Sequence, residues 1–169
     1  RTQEGTKFIA RSEDYGSDMN KLWFVSEAGA YSGTFRGCPE YGPFSYELSH
    51  PSYRFTYFKN DNVYNGVCPE CGEENAQHAS YTEFGTNEKG VSVSATETLY
   101  GNEKVTEADP YRDAEWAEAN KSERTGIEET DIPTIILAEA SSAREGVKLL
   151  LDIYENYGCV AASGVFVCD

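Results

Sequence analysis

The chain has 169 residues with 29 acidic and 14 basic side chains, a formal charge of −15, 39% apolar residues and 13% aromatic ones. That is enough chain and enough apolar surface for one domain with a core, and it excludes a disordered polypeptide. The negative charge argues against nucleic-acid phosphates and anionic membranes as partners, and no run approaches the ~20 apolar residues that a membrane helix needs.

In chain order, Lys7–Ala10 is a short strand candidate, and 21–25 (KLWFV) is a second, with Trp23 and Phe24 expected in the core. Residues 26–52 are rich in Gly, Pro, Ser and Tyr and read as an extended loop with brief strands. Tyr53–Phe58 is aromatic and β-leaning, and a polar segment, 59–77, follows it. Residues 79–101 have the form of a hairpin. Tyr81 and Phe84 lie in its first arm, Gly90 in its turn, and Val91 and Val93 alternate with Ser92 and Ser94 in its second. The charged stretch 102–130 reads as a surface excursion with a short helix. Asp131 then stands as an N-cap, with Pro133 in the first turn of a helix. Ser142 and Glu145 form a capping box, and Val147, Leu150, Leu151 and Tyr154 form the apolar stripe of a second helix that ends at Gly158. Gly164–Asp169 closes with a strand. Strands, two packed helices and a returning strand make an α+β layered arrangement.

Five cysteines stand at 38, 68, 71, 159 and 168, an odd count that leaves at least one without a partner in the chain. Cys68 and Cys71 form a CxxC in a loop-like context. It is compatible with a structural disulfide or inert thiols, half a metal site, or a redox pair. His50 and His78 are single and badly spaced for zinc, so neither a metal nor a cofactor is expected.

Three stretches together resemble the dipeptidase A family of N-terminal nucleophile (Ntn) cysteine peptidases: EGTKFIARSED (4–14), GTNEKGVSVSATET (85–98), and ILAEASSAREGVKLLLDIYENYG (136–158) running into GVFVCD. EADPY (107–111) and GIEETDIPTIIL (126–137) look like that family's linking segments, so the similarity spans nearly the whole chain. The resemblance implies an αββα sandwich of which 1–169 is the N-terminal portion. It implies hydrolysis of dipeptides or short peptides by a cysteine at the head of the mature chain, upstream of the Glu4–Thr6 turn. None of the five cysteines here occupies that place. The remainder of the fold is expected after Asp169 or on a second chain, and a homo-oligomer stays open. An Ntn amidase of a bile-salt or penicillin-type substrate is the competing enzyme, and a secreted binding module that lost its nucleophile is the competing non-enzyme.

The resemblance also gives roles to residues. Arg11 and Asp14 have the R-x-x-D spacing that the related cholylglycine hydrolases use beside their nucleophile. Arg11 then supports the thiolate and Asp14 orients the α-amine that serves as base. Without the resemblance the same pair reads as a strand-end ion pair. Asn87 reads either as a turn former or as a substrate contact. Thr96 and Glu97 present polar atoms at a strand end. Glu97 matches a position where the cholylglycine relatives carry an oxyanion-binding asparagine, a role that an ionised carboxylate cannot take. Glu97 is therefore expected either to hold the ammonium of a dipeptide, with backbone N–H groups binding the oxyanion, or to form a structural ion pair. An acidic, tyrosine-rich chain with a CxxC is compatible with an extracellular or cell-surface location, with a cytoplasmic one as the alternative.

Overall fold

The computed structural model describes residues 4–5, 8–12, 21–37, 43–60, 72, 81–97, 99, 102–108, 115, 119–120, 126–160 and 163–169. Asp14, Cys38, Cys68, Cys71 and His78 lie outside them, and with them the proposed amine-orienting carboxylate and the CxxC.

The described part is α+β. Strands β1 (Lys21–Ser26), β4 (Phe55–Asn60), β5 (Phe84–Asn87), β6 (Ser92–Thr96) and β7 (Gly164–Cys168) form one antiparallel sheet in the order β1-β4-β5-β6-β7. Two three-residue strands, β2 (Thr34–Arg36) and β3 (Ser45–Glu47), pair separately within the loop expected over 26–52. The helices fully within the described residues are α1 (Glu103–Ala108), α2 (Ile132–Glu139) and α3 (Ala143–Tyr157). The expected strand at 7–10 does not form over its described residues, which carry no regular structure from Phe8 to Ser12.

Helix α2 is buried along all eight residues, as an apolar helix without a polar face must be. It lies directly on the β5–β6 hairpin. Gly85 is the closest approach: a Cβ there would run into the Thr56 carbonyl oxygen and sit 2.6 Å from Leu137 Cδ1. Thr134, fully buried in α2, spends its hydroxyl on Thr82 Oγ1 at 2.8 Å. The first arm of the hairpin is thus fixed to this helix, and Gly90, at φ +83°, closes the turn.

Helix α3 starts as read, with the Ser142 hydroxyl accepting from Glu145 N. The return bond of the box differs. The Glu145 carboxylate reaches Ser141 N and Oγ, at 2.8 and 2.5 Å, and these bonds hold its pKa below the ordinary value. The buried line of α3 is Gly146, Leu150 and Ile153, whereas Val147 and Leu151 of the expected stripe are exposed. A Cβ on Gly146 would stand 3.0 Å from Ile136 and 3.1 Å from Val167. The glycine marks where α3 comes nearest its neighbours, and a count of apolar side chains misses it.

The sheet has two unlike faces. One cross-strand row, Phe24, Tyr57, Gly85, Val93 and Val167, lies under α2 and α3. The neighbouring row points the other way and reads Trp23, Phe58, Phe84, Ser94, Phe166. Trp23 meets Phe58 edge-on with centroids 4.2 Å apart. Even so, Trp23 is 52% and Phe166 75% exposed, so the expectation of a buried Trp23 fails. Ser92 and Ser94, read as the exposed alternates of β6, are in contrast buried. β6 lies between β5 and β7, so both of its edges are paired.

Asp131 does not cap α2 through its side chain; it has helical backbone angles and no capping hydrogen bond. Its carboxyl is buried, close against Gly37. Burial, with Glu128 adding repulsion, pushes its pKa up to about 8 from an ordinary 3.8. The folded chain therefore keeps a proton that the unfolded chain releases above its ordinary value, and stability from this group falls as pH rises from about 4 to about 8. The slope is at most about 1.4 kcal/mol per pH unit. Asp131→Asn is expected to flatten the fall in denaturant midpoint across that window. An unchanged slope would show that Asp131 is ionised in the folded state.

Candidate active site

Residues 8–12 lie across the open end of the β5–β6 hairpin, and Arg11 ties them down. Its Nη1 donates to the Glu83 carbonyl oxygen at 2.9 Å and to the Ala95 carbonyl oxygen at 3.0 Å, one from each arm. Those arms also meet each other there, through Ala95 N and Glu83 O at 3.3 Å. A guanidinium has five donors in a fixed fork, so one side chain can bind several acceptors at once.

Beside it, the Glu83 carboxylate is buried and meets two cations. Lys21 Nζ lies 2.5 Å from Oε1 and Arg11 Nη2 lies 3.9 Å from Oε2. Burying one charge without a partner costs several kcal/mol, so this arrangement holds only as a set. Lys21 reaches it from the first residue of β1, so β1 and the irregular segment 8–12 converge on one carboxylate just before β5.

The turn before α2 adds a second acid. Residues 128–131 are four consecutive polar residues, all buried. Glu129 Oε2 accepts the Tyr81 hydroxyl at 2.6 Å. Burial raises the Glu129 pKa, and the hydrogen bond from Tyr81 and the charge of Arg11 act against that rise. Tyr81 is raised from its ordinary 10, by burial first and then by Glu129. At neutral pH the tyrosine is thus the fixed donor of the pair.

The residues singled out from the sequence divide between two ends of the hairpin. Arg11, the half-buried Thr96 and the exposed Glu97 share the open end. Asn87 stands at the closed end, four residues along β5 from Glu83, or roughly 13 Å of strand. Its side chain is 4% exposed and fully engaged. Nδ2 donates to Leu137 O and Ala140 O, and Oδ1 accepts from Lys89 N and Val91 N. Asn87 therefore joins the turn to the end of α2. His50 lies at the same helix end, its Nε2 3.3 Å from Glu139 O. Cys168 pairs with Ser92, again toward the turn, and Cys159 is bridged to Ile127.

Lys21, Tyr81, Glu83 and Glu129 were not singled out in the sequence. The available signal was Glu83 one residue before a strand, and the run Glu128–Asp131 against a mostly apolar helix. Acids there must be either solvated or paired. Among the described residues, no group of three or more His, Cys, Asp or Glu side chains is disposed to hold a metal ion, and no helix is long and apolar enough to cross a membrane. Chemically, the site offers a fixed positive charge that lowers the pKa of a nearby thiol and a carboxylate–hydroxyl pair that accepts further donors.

Asn87→Ala should lower stability by about 1–3 kcal/mol in denaturant unfolding, because Leu137 O, Ala140 O and two turn N–H groups lose a buried partner. A loss below about 0.5 kcal/mol would contradict its placement as a structural bridge.

The sequence profile of Peptidase family C69 matches residues 2–169. A "Probable dipeptidase" of Salmonella dublin is 33% identical over 170 residues, covering 98% of this chain and 33% of the relative. A "Probable dipeptidase" of Latilactobacillus sakei is 28% identical over 166 residues, covering 98% and 30%. A "Dipeptidase" of Bifidobacterium longum is 32% identical over 177 residues, covering 98% and 29%. The chain spans about a third of the length of the curated relatives it matches. With the profile covering nearly every residue, the protein belongs to peptidase family C69.

Proposed function

We propose that this chain forms part of a cysteine dipeptidase of the Ntn type, in which Arg11 supports the attacking thiolate. The observation that carries the reading is the Arg11 guanidinium pinned to both arms of the hairpin at the end of a sheet, in a chain of a peptidase family. The nucleophile in this reading is a cysteine upstream of Glu4, and its own α-amine is the base. The thiolate attacks the carbonyl carbon of a dipeptide, and the tetrahedral oxyanion collapses with departure of the second residue's amine. Water then hydrolyses the thioester. Backbone N–H groups bind the oxyanion, since Glu97 carries no donor when ionised.

The exposed ends of the Trp23–Phe166 row support the finer reading of the fold. Trp23 and Phe166 at 52% and 75% exposure form the kind of apolar face that a second layer covers. In the αββα reading that layer is a second sheet. An extracellular or cell-surface location stays part of the proposal.

The test is hydrolysis by the full-length protein of a dipeptide panel, a bile-salt conjugate and penicillin V. Dipeptides are expected to be the substrates. Arg11→Ala is expected to lower kcat/KM roughly ten- to a thousandfold at neutral pH, the range set by a thiol pKa rising one to three units. Arg11→Lys should recover part of that loss. Turnover of the acyl substrates alone, or an unchanged Arg11→Ala enzyme, would overturn the reading.

A further inference from the structure

Glu129 is a buried carboxylate with only one oxygen engaged. It is 3% exposed. Its Oε2 accepts the Tyr81 hydroxyl, while Oε1, equally shut off from solvent, has no hydrogen-bond partner among the described residues. Buried acceptors are rarely left in that state, and a proton, an ordered water or a ligand donor completes them.

The surrounding charge decides which donor fits. Glu83 and Glu97 both act on Glu129, which puts three carboxylates in one neighbourhood. The two cations there, Arg11 and Lys21, both serve Glu83, and Arg11 also holds two carbonyl oxygens. Alongside the Arg11 charge, which also acts on Glu129, the described neighbourhood offers acceptors: Glu129 Oε1, the exposed Glu97 and the oxygen of Tyr81. Such a place repels carboxylate and phosphate. It suits a primary ammonium, which carries three donors and no acceptor.

We infer that Glu129, through Oε1, receives the α-ammonium of the peptide substrate and so selects substrates with an unblocked amino terminus. The inference rests on the dipeptidase reading above. It assigns the ammonium to a buried carboxylate and leaves the exposed Glu97 to attract it from solvent. A buried ion pair of this kind forms only if the ammonium sheds its water, which gives discrimination against blocked analogues. Entry needs a local opening around Glu129.

The experiment compares kcat and KM of the full-length protein for a dipeptide and for the same dipeptide N-acetylated. Glu129→Gln should raise KM for the unblocked dipeptide roughly ten- to a hundredfold. It should leave kcat within about threefold and leave the acetylated analogue unchanged or improved. Glu97→Gln should raise KM less than Glu129→Gln does. Should Glu129→Gln not fold, Tyr81→Phe removes only the hydroxyl that orients the carboxylate and should likewise raise KM for the unblocked substrate alone. A folded Glu129→Gln enzyme with unaltered KM overturns the inference, as does an equal loss on both substrates in either variant. A wild-type protein that hydrolyses dipeptides while Glu129→Gln is unaffected sinks this inference alone. A wild type that hydrolyses none sinks the dipeptidase reading and this inference with it.

Discussion

Two main-chain carbonyls and one guanidinium hold the site together. Arg11 joins Glu83 O to Ala95 O at the open end of the β5–β6 hairpin. This fixes an otherwise irregular segment, 8–12, against the sheet. It also delivers a positive charge to one defined spot. Glu83 and Lys21 then neutralise and brace that charge. The segment has no strand pairing of its own, so its position depends on these contacts.

The clamp is only as rigid as the hairpin it grips. Rigidity comes from the far side. Gly85 admits Leu137 of α2 to backbone distance, Asn87 bridges the turn to the end of that helix, and Thr134 bonds Thr82. The closed end of the hairpin is thus structural, and the open end carries the site and one helix contact, Thr82 to Thr134. The cost is a buried acidic turn, Glu128 to Asp131, brought in where α2 begins. Asp131 relieves its share by holding a proton, and Glu129 by taking the Tyr81 hydroxyl.

Much of this was legible in the residues. The hairpin over 79–101, the helices after Asp131 and Ser142, and the closing strand were readable, because period-2 and period-3.6 patterns and turn glycines are local signals. Arg11 stood out through its motif. Tertiary facts were not readable. Gly146 sets the phase of α3 by close packing, so Val147 and Leu151 face outward although their spacing suggests a core stripe. Trp23 is exposed because apolarity alone does not say which face of a sheet is covered. Asn87 and Glu129 were the harder cases. A polar side chain near a turn gives no local sign that it is buried, and only the contact with α2 and the partner Tyr81 assign them.

The central claim is that Arg11 acts electrostatically on a thiol. The most direct measurement is the pH dependence of iodoacetamide alkylation at the amino-terminal cysteine of the full-length protein, in wild type and Arg11→Ala. The account predicts a wild-type thiol that titrates below the ordinary ~8.5 and a variant thiol shifted upward by one unit or more. Identical titration curves in the two proteins, or no alkylation at the amino end at all, would contradict it.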